Sequence, residues 1–212
     1  MMFNHMVCQS AGGQPIAPRA AQLLITTFDT WLPHQHSNAA DDLIQQAIDR
    51  QDLPAETLLL RHLPVDTAAA CLPVCHYIER FEPHVILCCG MAESRSRLSL
   101  EQQATRNGQT RQTSLPLAAW CETLPVTDLS HDAGQFVCND LYYQVLGYSS
   151  VPATPSMSRQ TCHAVFLHVP PLTLANRRHY AHDLAAIVNA CIAVSLRGDS
   201  NYGNQQGLDF SK

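Results

Sequence analysis

Apolar and polar positions along the chain fall into two periods. Residues 22–26 form a short apolar run that ends in the turn-like FDTWLPHQHSN, and residues 57–63 form a second run. Short runs bounded by turn residues predict strands. Between them, Ser37 or Asn38 can cap a helix opening with Asp41 and Asp42, whose carboxylates suit the positive end of the helix dipole. Val74, Ile78 and Phe81 recur at helical spacing after Pro73, which a first turn tolerates, and predict a second helix ending before Glu82. Residues 85–89 are continuously apolar, which predicts a strand buried on both faces, and Gly90 offers a sharp turn at its end. Leu98 and Leu100 alternate with polar neighbours as a half-buried strand does. Residues 136–146 return to helical spacing and stop at Gly147, and residues 164–167 form another buried strand running into His168. Leu184, Ile187, Val188 and Cys191 lay one apolar stripe along a last helix over 176–197.

Strands alternating with helices predict an α/β fold, a three-layer α/β/α sandwich around an open, twisted, mostly parallel sheet. Residues 1–20 and 198–212 are polar and lack periodicity, so the expected organisation is a flexible N-terminal arm, a single domain over 21–197 and a flexible C-terminal tail. Hydrophobic residues make up 46% of the 212 and charged residues 15%, enough apolar side chain to offset chain entropy and exclude native disorder. A formal charge of −5 leaves no basic footprint, so nucleic acid is not an expected partner. Every apolar stretch falls short of the ~20 residues a membrane span needs. The nine cysteines form no repeated framework, which fits free thiols in a reducing compartment, and the N-terminus lacks the basic and apolar regions of a secretion signal. A cytoplasmic address is the expectation.

Candidate chemistry concentrates in HDAGQFVCNDLYYQVLGY, where Cys138 falls at the start of an amphipathic helix. A thiol there meets unpaired backbone N–H groups and the positive helix end, which favour thiolate, and the same N–H groups can stabilise an oxyanion. His168 stands at the C-terminal end of a buried strand, where open α/β sheets place functional residues. Cys88 and Cys89 are adjacent in a strand, point to opposite faces, and read as core; Cys71 and Cys75 read as packing. Eleven histidines, His34 and His36 among them, form no ligand spacing, so no metal and no cofactor are expected.

The segment AGQFVCNDLYY resembles the nucleophile region of the pyroglutamyl peptidase I family of cysteine peptidases, whose motif is close to A-G-x-F-V-C-N-x-L-x-Y. Ala133, Gly134, Phe136, Val137, Cys138, Asn139, Leu141 and Tyr143 match it. CGMAESRSRLSLE resembles the family's G-x-A-x-G-R followed by a Glu, through Gly90, Ala92, Arg95 and Glu101, and FLHVP resembles its F-I-H-I-P, through His168 and Pro170. ITTFDTWLPHQHSN is similar to the family's opening segment, with Thr26, Phe28 and Trp31 retained.

The resemblance implies Cys138 as nucleophile, His168 as base and Glu101 as the carboxylate that orients it. It implies Phe28, Trp31, Phe136 and Val137 around a small flat pyroglutamyl ring, with Arg95 at the substrate. The expected partner is a peptide or small amide substrate, and a homo-oligomer is compatible with the family. Leu32 and Pro33 stand where the family has a glycine pair, and the span from Glu101 to Cys138 is short, which predicts an altered substrate loop and crevice wall. A non-catalytic binding or scaffold protein that retains the peptidase fold is the alternative.

Overall fold

The structure of the protein is a computed structural model that describes residues 8–10, 22–149 and 162–203. In chain order its elements are β1 (Cys8–Ser10), β2 (Leu23–Phe28), α1 (Ala39–Asp49), β3 (Leu58–Leu63), α2 (Thr67–Phe81), β4 (Val85–Met91), β5 (Leu98–Glu101), β6 (Gln103–Arg106), β7 (Gln109–Gln112), α3 (Leu117–Cys121), β8 (Thr127–Ser130), α4 (Val137–Ser149), β9 (His163–Val169) and α5 (Arg177–Gly203). Seven strands form one sheet in the order β1-β3-β2-β4-β9-β5-β8, and β6 with β7 forms a separate hairpin. The centre, β3-β2-β4-β9, is parallel throughout; β5 joins β9 antiparallel and β8 runs parallel to β5.

Strand residues alternate between two apolar layers because successive Cβ atoms point to opposite faces. Ile25, Leu87, Cys89, Leu100 and Leu167 pack with Leu43 of α1 and Leu184 and Val188 of α5. Leu24, Ile86, Cys88, Ala164 and Phe166 pack with Val74 and Ile78 of α2 and Leu141, Tyr142 and Val145 of α4. This is the expected three-layer sandwich. Leu98 and Leu100 of β5 are fully buried in the first layer, so Ser99 and Glu101 are left on the second face, toward α4.

Several local expectations are corrected. Gly90 does not turn the chain: β4 continues through it to Met91. The second helix begins at Thr67, before Pro73, because the Asp66 side chain accepts the Ala69 N–H at 2.9 Å as its N-cap; Pro73 lies inside the helix and is buried. Glu82 ends that helix in the left-handed conformation. The helix expected to stop at Gly147 extends to Ser149, and the last helix runs to Gly203. Cys8–Ser10, within the segment expected to be an arm, adds an antiparallel edge strand beside β3.

Asn38 caps α1 through its side chain, and that helix presents Asp41 to β2 and β3. Thr27 Oγ1 donates to Asp41 at 2.6 Å, while Arg61 donates through Nε at 2.8 Å and Nη2 at 2.6 Å. Burial alone would raise the Asp41 carboxyl, but the hydrogen bonds from Arg61 and Thr27 and the guanidinium charge outweigh it and hold the group below its usual range. The stability this contributes is present above the unfolded-state carboxylate value and is lost as pH falls through the lower folded-state value. Asp41→Asn is expected to cost about 2 kcal/mol at pH 7 by leaving the guanidinium short of its partner. Urea denaturation at pH 7 and pH 3 checks it: the gap between wild type and variant should narrow in acid.

Candidate active site

Two strands meeting antiparallel bring an acid and an imidazole together. His168 lies near the C-terminal end of β9, and Glu101 ends β5, the neighbouring strand, in register with Phe166. Residues two apart on a strand share a face, so Glu101, Phe166 and His168 all point toward α4. The Glu101 side chain is fully buried, and His168 Nδ1 stands 2.7 Å from its Oε1. A buried carboxylate at that nitrogen selects the Nδ1–H tautomer, which leaves Nε2 as an acceptor. Phe166 packs on the imidazole with ring centroids 4.7 Å apart. Arg95 Nη2 makes an ion pair with Glu101 Oε1 at 2.8 Å and donates to the Asp132 carbonyl at 2.7 Å. Arg95, expected at the substrate, is thus placed on the carboxylate.

The turn before α4 delivers the thiol to the same face. Asp132 Oδ1 accepts the Gly134 N–H at 2.9 Å, and Gly134 adopts φ 83°, a conformation that favours glycine. Asp132 is therefore a turn residue with an exposed side chain. Asp140 N–H donates to the Phe136 carbonyl, and Cys138 is the second residue of the helix. Gly90 of β4 is the register partner of His168. A Cβ built on Gly90 would lie 2.8 Å from Cys138 Sγ and 2.9 Å from the Phe166 ring, so the sulfur occupies space that only glycine leaves. The thiol consequently sits over the β4–β9 strand pair, on the face that carries His168 and Glu101.

Two opposing effects act on its ionisation. Burial pushes the Cys138 thiol up to about 12, with Cys88 and the Glu101 carboxylate adding to the rise, while its own backbone N–H and Arg95 draw it down. Desolvation thus opposes the helix-start effect.

Val137, the residue before Cys138, lines a cavity of about 330 Å³ together with Phe28, Trp31 and Phe136, the four residues expected to hold a ring. The exposed Trp31 and Phe136 face one another with centroids 5.7 Å apart at 47°. Asp29, Asp66 and Asp140 also line it, and its lining contains no basic side chain, which disfavours an anionic ligand. The Trp31 loop is folded by Gln35, whose Oε1 accepts the Trp31 and Leu32 N–H groups and whose Nε2 donates to Glu93 at 3.1 Å; His34 meets the same carboxylate at 3.0 Å. The bond between Gln35 and Glu93 joins segments 58 positions apart, so no local pattern in the chain announces it. Among the described residues, no group of three or more His, Cys, Asp or Glu side chains could hold a metal ion, and no helix is long and apolar enough to cross a membrane. Cys88 and Cys89 lie in opposite core layers.

Fold and site together define an open α/β protein presenting a thiol and a carboxylate-held imidazole on one sheet face, beside an aromatic cavity. No family model matches the sequence. The pyrrolidone-carboxylate peptidase of Thermococcus litoralis is 24% identical over 176 residues, covering 70% of this chain and 76% of that protein. The fold is that of the solved pyroglutamyl peptidase I from Bacillus amyloliquefaciens, with a TM-score of 0.64 at 17% identity over 80% of this chain and 94% of that one. The Thermococcus litoralis pyrrolidone carboxyl peptidase structure gives a TM-score of 0.62 at 20% identity, over 90% of this chain and 99% of that one. The resemblance carried by AGQFVCNDLYY thus extends to distant likeness along the chain and to the whole fold.

Proposed function

We propose that the protein is a cysteine exopeptidase of the pyroglutamyl peptidase I type, which removes an N-terminal pyroglutamyl or related group from a peptide or small amide. Cys138 Sγ attacks the amide carbonyl as His168 Nε2 takes the thiol proton. Backbone N–H groups in the first turn of α4 stabilise the oxyanion. His168 then donates the proton to the departing amine, leaving a thioester on Cys138, and water activated by the same imidazole hydrolyses it. Glu101 holds the ring and stabilises the imidazolium, and Arg95 positions Glu101. Phe28, Trp31, Phe136 and Val137 enclose the acyl ring. The observation that carries the reading is the 2.7 Å contact between buried Glu101 and His168, on the face that also holds Cys138. Cys71, Cys75, Cys88, Cys89, Cys121, Cys138 and Cys191 are free thiols, which supports a reducing, cytoplasmic setting.

A pyroglutamyl-amide reporter tests it. Wild type should turn over, and Cys138→Ala should lose about 10³-fold or more of kcat. Wild-type protein inert toward pyroglutamyl and other N-terminal amides would overturn the proposal; stoichiometric binding without product would instead favour the scaffold alternative.

A further inference from the structure

We infer that β5 and the β6–β7 hairpin together brace the nucleophile helix and set its position, with Tyr142 as the positioning residue toward β5 and Asn139 as the one toward the hairpin. The inference rests on the reading of Cys138 as nucleophile but concerns residues with no part in the chemical steps. Asn139, next to Cys138 and buried, pairs with the backbone of Thr105 in β6: its Nδ2 donates to the Thr105 carbonyl at 2.8 Å and its Oδ1 accepts the Thr105 N–H at 2.9 Å. Three residues on, the fully buried Tyr142 donates from its hydroxyl to the Glu101 carbonyl at 2.8 Å. Arg111 of β7 donates to the Tyr143 carbonyl at 2.8 Å, and its guanidinium lies 4.0 Å from the centre of the Tyr143 ring.

Positions 139, 142 and 143 share one helical face, so a single side of α4 is bonded to the strand carrying Glu101 and to the hairpin that follows it. Gly147 extends that face, because a Cβ there would lie 2.5 Å from Arg111 Nη1. The glycine that reads as a stop thus leaves room for Arg111 inside the helix. The hairpin is short, and Asn107 and Gly108 at its tip both take positive φ, as a tight two-residue turn requires. Its bonds to α4 therefore transmit the position of β5 directly to the turn holding the sulfur. The spacing between Sγ and an imidazole anchored on Glu101 is then governed by Asn139 and Tyr142. A misplacement on the order of 1 Å at reacting atoms can cost about 10²-fold in rate.

The test uses Tyr142→Phe, which removes one hydroxyl and keeps the ring, and Asn139→Ala, with Glu122→Ala at the exposed end of α3 as control. On the pyroglutamyl-amide reporter, kcat should fall about 10-fold for Tyr142→Phe and about 10²-fold for Asn139→Ala, with KM within about twofold and with thermal denaturation showing folded protein at the assay temperature. Iodoacetamide alkylation of Cys138, followed by mass spectrometry between pH 6 and 9, should speed up at least about threefold in both variants as the sulfur leaves its slot. Glu122→Ala should match wild type in both assays. A structural role alone would lower activity only in proportion to lost folded protein.

Unchanged kcat and unchanged alkylation in folded Tyr142→Phe would overturn the brace, as would a loss confined to KM. If wild type cleaves no amide, the reading of the site has failed, and the alkylation rates alone decide whether the brace positions the thiol. Should Asn139→Ala not fold, Tyr142→Phe carries the decision.

Discussion

Gly90→Ala is expected to yield folded protein that has lost about 10²-fold or more of its amide-cleaving activity. Glycine is not required here by backbone conformation, since Gly90 is not among the positive-φ residues. The requirement is space. The added Cβ would lie 2.8 Å from Cys138 Sγ and 2.9 and 3.2 Å from atoms of the Phe166 ring. The sulfur can escape by rotating about its single side-chain torsion, and the ring can escape only by pushing against its neighbours. Phe166 packs on His168, so either response disturbs one of the two reacting groups. Overpacking at a well-filled site costs about 1–3 kcal/mol, which a domain of this size tolerates, whereas displacement of a reacting atom is felt directly in the rate. Comparing kcat/KM on the reporter with the denaturation midpoint separates the two effects. Full activity in Gly90→Ala would show that the sulfur works from another position.

Glu101→Gln is expected to lower kcat by about 10³ to 10⁴-fold, a loss comparable with that of the orienting acid in other nucleophile–histidine pairs. The amide preserves volume but removes the charge. Glu101 Oε1 faces both His168 Nδ1 at 2.7 Å and Arg95 Nη2 at 2.8 Å, and Oε2 has no hydrogen-bond partner among the described residues. Loss of the carboxylate therefore withdraws the stabilisation of the imidazolium that forms during attack and leaves the Arg95 guanidinium beside a neutral group. Arg95→Met should lose less, because the carboxylate remains to hold the ring and the guanidinium acts only through it. Steady-state kinetics across pH 6 to 9 check both variants; an Arg95→Met loss exceeding that of Glu101→Gln would place the guanidinium at the reacting atoms instead.

Most elements and the chemical character of the helix start are legible along the chain. Apolar periodicity marks β2, β3, β4 and β9, and Asn38 marks the start of α1. The nucleophile segment is legible because a thiol preceded by Ala133 and Gly134 and followed by helical spacing is a local pattern. The errors fall where a residue serves a distant partner. Gly90 and Gly147 read as chain punctuation, yet each is small because another segment's side chain fills the space, Cys138 in one case and Arg111 in the other. Pro73 reads as a first-turn residue, but Asp66 caps the helix earlier. The helix start describes only the local field that favours thiolate, whereas the burial that raises the Cys138 thiol depends on everything packed around it.

The amino-acid order by itself therefore determined most of the strands and helices, though not β1, β6, β7, α3 or β8, as well as which cysteine opens a helix and which histidine ends a buried strand. The tertiary structure alone decided that Glu101 reaches His168 across 67 positions of chain, that Trp31 faces Phe136, and that Asn139 and Tyr142 tie the nucleophile helix to β5 and β6. Periodicity and capping arise from interactions within a few residues and leave a local imprint. Strand order, register and desolvation are set by contacts between segments that the chain keeps far apart.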